Sequence, residues 1–198
     1  MHDMRKMLAS LGAGAMTLGL FAAPVAAEDD GPGIVDTVIA VSGAEGFDDN
    51  AGDYDILREA LVAAGLVEAV AEADDITVFA PSDRAFIRTA YELGYSGPSD
   101  EEAIFGFLAG ALGVTADDAG LLDDVLLYHV SPGAKTRGDV FRADSVDTLL
   151  GVSIPTQGTR FIDGDPDLAN PQIVRHFNIR TSNGIINTIN RVLIPIDA

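Results

Sequence analysis

The chain has 198 residues, with 31 acidic side chains against 12 basic ones, a formal net charge of −19, and neither cysteine nor tryptophan. Its length fits one domain of ordinary size or two small ones, and 47% apolar residues are enough for a core, which excludes a disordered acidic tail. The charge excludes a general nucleic-acid binder, because a phosphate backbone is repelled, and the lack of cysteine excludes disulfides, thiol catalysis and thiolate-held metals.

In chain order, the N-terminus reads as an export signal. Arg5 and Lys6 precede an uncharged apolar stretch, and Val25 and Ala27 are small residues at the positions a signal peptidase reads. The expected cleavage follows Ala27, so residues 1–27 are a signal peptide. The stretch is short for a membrane span, which needs about 20 apolar residues, and no later segment is long enough to cross a bilayer. Without residues 1–27 the chain keeps 10 basic and 30 acidic side chains, and Lys135 is its one lysine. Self-repulsion keeps such a surface soluble.

Residues 28–33 form a flexible polar leader, and residues 34–198 form one domain. Ile34 to Val41 has helical spacing, and Ser42 to Asp53 is a turn-rich acidic loop. Ile56, Leu57, Ala60 and Leu61 share one face of a helix over Tyr54 to Ala64, which Gly65 ends; a short helix from Leu66 to Ala73 follows. Ile76 to Ala80 is β-branched and aromatic, hence a strand, and Pro81 stops it. Ser82 is an N-cap candidate for a helix from Asp83 to Leu93. Ser99 is expected to cap Asp100 to Leu112, with Glu102 completing a capping box. Another helix opens at Thr115 or Ala116 and runs to about Leu127, with Asp117 and Asp118 in its first turn. Beyond Pro132-Gly133 the pattern turns to strands over Ser145–Leu149, Val152–Pro155, Thr159–Ile162, Ile173–Thr181, Gly184–Ile189 and Val192–Ile196. Asn183-Gly184 is the turn between two of them. A helical first half and a strand-rich second half argue for α+β.

Three separated blocks carry a family resemblance. They are Thr77-Val78-Phe79-Ala80-Pro81-Ser82-Asp83-Arg84-Ala85-Phe86, then Leu126-Leu127-Tyr128-His129-Val130-Ser131-Pro132-Gly133, and finally Ser182 to Pro195, which opens Ser-Asn-Gly-Ile-Ile-Asn-Thr-Ile-Asn-Arg. In this order and spacing the chain resembles the fasciclin (FAS1) family over most of residues 34–197. The resemblance implies an α+β fold, a twisted β-sandwich-like core with helices packed along one side. It implies a non-catalytic role in adhesion, through contact with an extracellular protein or polysaccharide surface, in a secreted or periplasmic protein. The long Ser42–Asp53 loop and a helical segment within Gly94–Asp124 depart from the family pattern.

Ser82 and Asp83 read as a helix cap or as contact residues, and Tyr128 and His129 as junction residues or as a contact site. For catalysis, the bases left after signal removal are His129 and His176, and Gly94-Tyr95-Ser96-Gly97-Pro98 only approaches a nucleophile elbow, so the expectation is no enzyme. No cofactor is required. Calcium is the sharper alternative. Asp163, Asp165 and Asp167 place hard oxygen ligands at alternate positions, with Asn170 nearby. Asp48, Asp49, Asn50 and Asp53 form a second, weaker acidic cluster. The rival reading is therefore an exported calcium- or small-ligand-binding protein using the acidic loop.

Overall fold

The computed structural model describes residues 31–43, 46–114, 121–174 and 177–195. The signal segment, His176 and the expected helix start at Thr115–Ala116 lie outside them. The elements are α1 (Ile34–Ser42), α2 (Asp55–Ala63), α3 (Val67–Glu72), β1 (Ile76–Pro81), α4 (Asp83–Glu92), α5 (Glu101–Ala111), α6 (Leu122–Tyr128), β2 (Val130–Pro132), α7 (Arg137–Arg142), β3 (Ser145–Asp147), β4 (Ser153–Gln157), β5 (Arg160–Phe161), β6 (Ile179–Thr181) and β7 (Gly184–Ile189). The fold is α+β. Strands β2-β1-β7-β6 form one sheet and β3-β4-β5 a second. The central pair β1–β7 is parallel, with Ile76 opposite Gly184 and Pro81 opposite Ile189, whereas β1–β2 and β6–β7 are antiparallel.

Strand alternation explains two cores. Side chains at alternate positions of β1 point to opposite faces. Ile76, Val78 and Ala80 join Ile34, Leu57, Ile104 and Leu126 in the helix-side core. Phe79 points the other way and packs with Tyr128, Val140, Ile154, Phe161 and Leu193 between the sheets. The Phe79 and Phe161 rings meet edge-on at 4.7 Å. Burying a side chain of this kind contributes roughly 1.5–3 kcal/mol.

Helix ends obey local chemistry, sometimes one residue from where the sequence suggests. Gly65, at φ +67, ends α2, and the Leu66 N–H returns to the Leu61 carbonyl at 3.0 Å. For α5 the cap is Asp100 and not Ser99. The Asp100 carboxylate accepts the Ala103 N–H at 2.9 Å, which makes Glu101 and Glu102 first-turn residues. Ser82 stands at the N-cap position of α4 with extended backbone, but its side chain makes no capping bond.

Four further expectations are corrected. Helix α7 lies where only loop is expected; the Thr136 hydroxyl and the Asp139 carboxylate close a capping box at its start. The turn between β6 and β7 is Ser182-Asn183, and Gly184 is already the first residue of β7. Gly184 serves close approach, since a Cβ there would overlap the Ile76 carbonyl oxygen. The stretch Val192–Ile194 is buried but belongs to no strand. Its three amides go to side chains: Val192 N–H to Thr89 Oγ1 at 3.1 Å, Leu193 N–H to His129 Nε2 at 2.9 Å, and Ile194 N–H to Asp163 Oδ2 at 3.1 Å. Similarly, Ile173–Thr181 is not one strand. It is a bridge from Ile173 to Ile189, and later β6.

Candidate functional site

The three sequence blocks converge. The first supplies β1, the second β2 and the third β7, so they are neighbouring strands of one sheet. Their polar residues act mainly inward. His129 is 2% exposed; its Nδ1 lies 2.7 Å from the Val125 carbonyl and its Nε2 accepts from Leu193 N–H. This pairing fixes the neutral Nδ1–H tautomer. Burial pushes its pKa down to about 4, against a smaller upward pull from the Val125 carbonyl. Tyr128 is 3% exposed, and burial, with the Asp163 charge adding, pushes its hydroxyl up to about 12. Asn183 holds the helical half to the third block: its Oδ1 accepts Ile34 N–H, and its Nδ2 donates to the Val70 and Ala73 carbonyls, each at 2.9 Å.

Asp83 is fully buried and caps a helix other than its own. Its two oxygens accept the Asp55 and Ile56 amides, at 3.1 and 2.8 Å, at the start of α2. Those are among the orphan donors of α2, whose own N-cap, Tyr54, makes no side-chain capping bond. Of the residues expected to make contacts, Ser82 is therefore the one with partial exposure, while Asp83, Tyr128 and His129 are walled in.

Around Asp83 lies a carboxylate cluster. Oxygens of Asp53, Asp83 and Glu101 lie within 4.8 Å of one another, as do those of Asp48, Asp55 and Glu101. Asp53, Asp55, Asp83 and Glu101 are all buried, and Asp48 is exposed at the rim. The Asp48 N–H donates to Asp55 Oδ2 and Glu101 Oε2 at 3.2 and 3.1 Å, folding the 46–53 loop over the group. One cation adjoins it: Arg58 reaches Asp55 Oδ1 at 2.6 Å and the carbonyls of Ser42, Gly43 and Gly46. Burial raises Asp83 to about 8, with the Asp53 carboxyl adding to the rise and the two α2 amides opposing it. Burial likewise raises Glu101 to about 7, reinforced by Asp55, Asp53 and Asp48.

The 163–167 loop is built differently. Asp165 is buried, and its Oδ1 accepts the Asp167 and Leu168 amides at 2.8 and 3.2 Å. Asp163 Oδ2 accepts Ile194 N–H, and Asp167 is exposed. Asp163, Asp165 and Asp167 do not form one of the close three-carboxylate groups found among the described residues. The Asp165 side chain serves the turn, and that of Asp163 serves the Val192–Ile194 stretch. The sequence signal that did point to the converging group was the run from Asp48 to Asp53. Asp83 and Glu101, remote in the chain, carried no such signal.

Two concavities remain. An apolar cavity of about 300 Å³ lies among α2, α4, α5 and α6, walled by Ile56, Phe86, Phe105, Leu108, Leu126 and Val192. A shallow polar hollow of about 410 Å³ is bordered by Ser82, Arg84, Arg88, Val174, Thr188 and Asn190. Arg84 and Arg88, one turn apart on α4, are exposed and make no ion pair among the described residues.

A fasciclin domain model matches residues 52–195, and the chain belongs to the fasciclin family. It is 26% identical over 141 residues to the uncharacterized protein sll1735 of Synechocystis, covering 71% of this chain and 89% of that protein. It is 27% identical over 142 residues to mouse Stabilin-2, covering 71% of this chain but 5% of that much longer protein. Among solved structures, a FAS1 domain pair from the insect cell adhesion molecule Fasciclin I superposes with a TM-score of 0.54 at 16% identity, over 82% of this chain and 51% of that one, a likeness of fold. Among the described residues no helix is long and apolar enough to cross a membrane.

Proposed function

We propose that this protein is an exported, non-catalytic fasciclin module that contacts an extracellular protein or polysaccharide surface. Family membership over residues 52–195 is the observation that carries the reading. The adhesion role follows by likeness to Fasciclin I, an insect cell adhesion molecule. Fold alone does not define a partner, so the contact face is argued from the surface. The Ser82–Arg84–Arg88 face of α4 concentrates two unpaired guanidiniums on a chain of net charge −19. Guanidinium forks recognise carboxylate and sulfate groups in pairs of hydrogen bonds, so the partner is an anionic polysaccharide or an acidic protein surface. The test is binding of the purified protein to immobilised anionic polysaccharides and matrix extracts. Binding that falls at least tenfold in Arg84→Glu/Arg88→Glu, with unchanged circular dichroism, supports the face. Binding unaffected by the double variant assigns contact elsewhere.

A second reading, carriage of a small apolar ligand, is supported by the 300 Å³ cavity. Saturable binding of an apolar fluorophore, lost in Leu126→Trp, distinguishes it from surface adhesion.

A further inference from the structure

Four buried carboxylates share one neighbourhood with a single guanidinium. A buried charge is tolerated when it is paired, protonated or bound to a metal. Arg58 answers Asp55 through the 2.6 Å contact, which leaves Asp53, Asp83 and Glu101 without a cationic partner of their own among the described residues. Hydrogen bonds from backbone and Asn50 reach several of their oxygens. Asp83 is held at both oxygens by α2 amides, Glu101 Oε2 by Asp48 N–H, and Asp53 Oδ2 by the Asn50 amide at 3.0 Å. Asp53 Oδ1 is different. Asp53 is 2% exposed, and this oxygen is buried with no donor. It belongs to the side chain whose carboxylate meets those of Asp83 and Glu101 within 4.8 Å.

Those dimensions select a ligand. Two oxygens bound to one calcium ion at about 2.3–2.6 Å cannot lie more than about 5 Å apart. The mutual spacing of the Asp53, Asp83 and Glu101 oxygens meets that limit, and so does that of the Asp48, Asp55 and Glu101 group, which shares Glu101. All the donors are hard oxygens, and no imidazole or thiolate stands in either group, which suits calcium over a transition metal. Exposed Asp48 gives the entrance, and its own amide already ties the loop to both Asp55 and Glu101.

We propose that the Asp53–Asp83–Glu101 group, with Asp48 and Asp55 at its rim, is a calcium site that pins the 46–53 loop against the starts of α2, α4 and α5. The site is separate from the Arg84–Arg88 face and does not rest on the adhesion reading.

The experiment is calorimetric titration of the chelator-treated full chain with calcium chloride at pH 7.5, alongside thermal unfolding. The expected result is one calcium per chain, saturable heat, and a Tm raised by about 4 °C or more at saturation. Asp53→Asn and Glu101→Gln each weaken binding at least tenfold. Asp53→Asn has nearly the same shape and keeps an oxygen for the Asn50 amide, so it melts close to the parent in chelator, which shows that the variant folds. Asp163→Asn/Asp165→Asn binds calcium as the parent does. No heat and no Tm change up to about 5 mM calcium, beyond the range of weak extracellular modules, overturns the proposal. So does binding that survives Asp53→Asn and Glu101→Gln but is lost in Asp163→Asn/Asp165→Asn.

Discussion

His129 joins the end of α6 to the Val192–Ile194 stretch, and replacing it with glutamine probes both its bonds and its protonation. At pH 7.5 the imidazole is neutral, donating to Val125 and accepting from Leu193. A glutamine amide keeps one of these bonds at best, so one buried backbone group loses its partner, at about 1–3 kcal/mol. The pH dependence carries the sharper information. The ordinary histidine value is 6.5 and the folded value is about 4, so the open chain takes up the proton first. Stability from neutral His129 is therefore full above pH 6.5 and is lost as pH falls towards 4, by about 2–3 kcal/mol at pH 4.5. Asp83, Glu101 and Asp163 work the other way. Their folded values of about 8, 7 and 6 lie above the ordinary ones, so their share of stability is lost as pH rises. They are present in both proteins and cancel in the difference. Urea unfolding of parent and His129→Gln at pH 7.5, 6.0 and 4.5 should show a penalty that shrinks with acidity and vanishes or reverses at the lowest pH. A penalty that stays constant across that range refutes a buried neutral imidazole.

Gly184→Ala forces a methyl group into the Ile76 carbonyl within the central strand pair, and a loss of about 3 kcal/mol or failure to fold is expected, read by urea midpoint or soluble yield. Arg58→Met removes the one cation beside the acidic cluster together with its bonds to three loop carbonyls, and should destabilise by about 3–5 kcal/mol at pH 7.5. That loss should narrow at pH 5, where Asp83 and Glu101 hold their protons, and thermal unfolding at the two pH values checks it.

The readable parts of this sequence were those in which a segment's own pattern decides its structure. The β-branched run of β1 and the apolar face of α2 needed no distant partner to be recognised. Val192–Ile194 has the same strand-like composition, yet its amides bond to Thr89, His129 and Asp163, side chains supplied by three separate segments. Propensity cannot see that substitution. Helix α7 was overlooked although Thr136 and Asp139 carry a capping signature, because its six residues are too few for a clear apolar period. The acidic cluster was half visible. Asp48 to Asp53 stand together in the sequence, but Asp83 read with Ser82 as a helix cap or contact residue and Glu101 as part of the start of α5. Only the packing of α4 and α5 against α2 makes them neighbours. Conversely, Asp163, Asp165 and Asp167 have the spacing of a ligand set, but they part in the fold: Asp165 accepts two turn amides, Asp163 accepts Ile194 N–H, and Asp167 is exposed.

The parallel pairing of β1 with β7 has a consequence for how the chain is assembled. The partner of Ile76 lies roughly a hundred residues further on, and closing so large a loop is slow. A chain emerging from its N-terminus forms helices early, but β1 has only the short β2 beside it until residues 184–189 are made. Asn183, which the Val70 and Ala73 carbonyls require, arrives at the same moment. A chain stopped short of β7 therefore exposes a long apolar strand edge and unpaired buried carbonyls together, the combination that invites aggregation and proteolysis. Closure of the domain thus waits on residues 183–189, from which both β1 and the helical half take their partners.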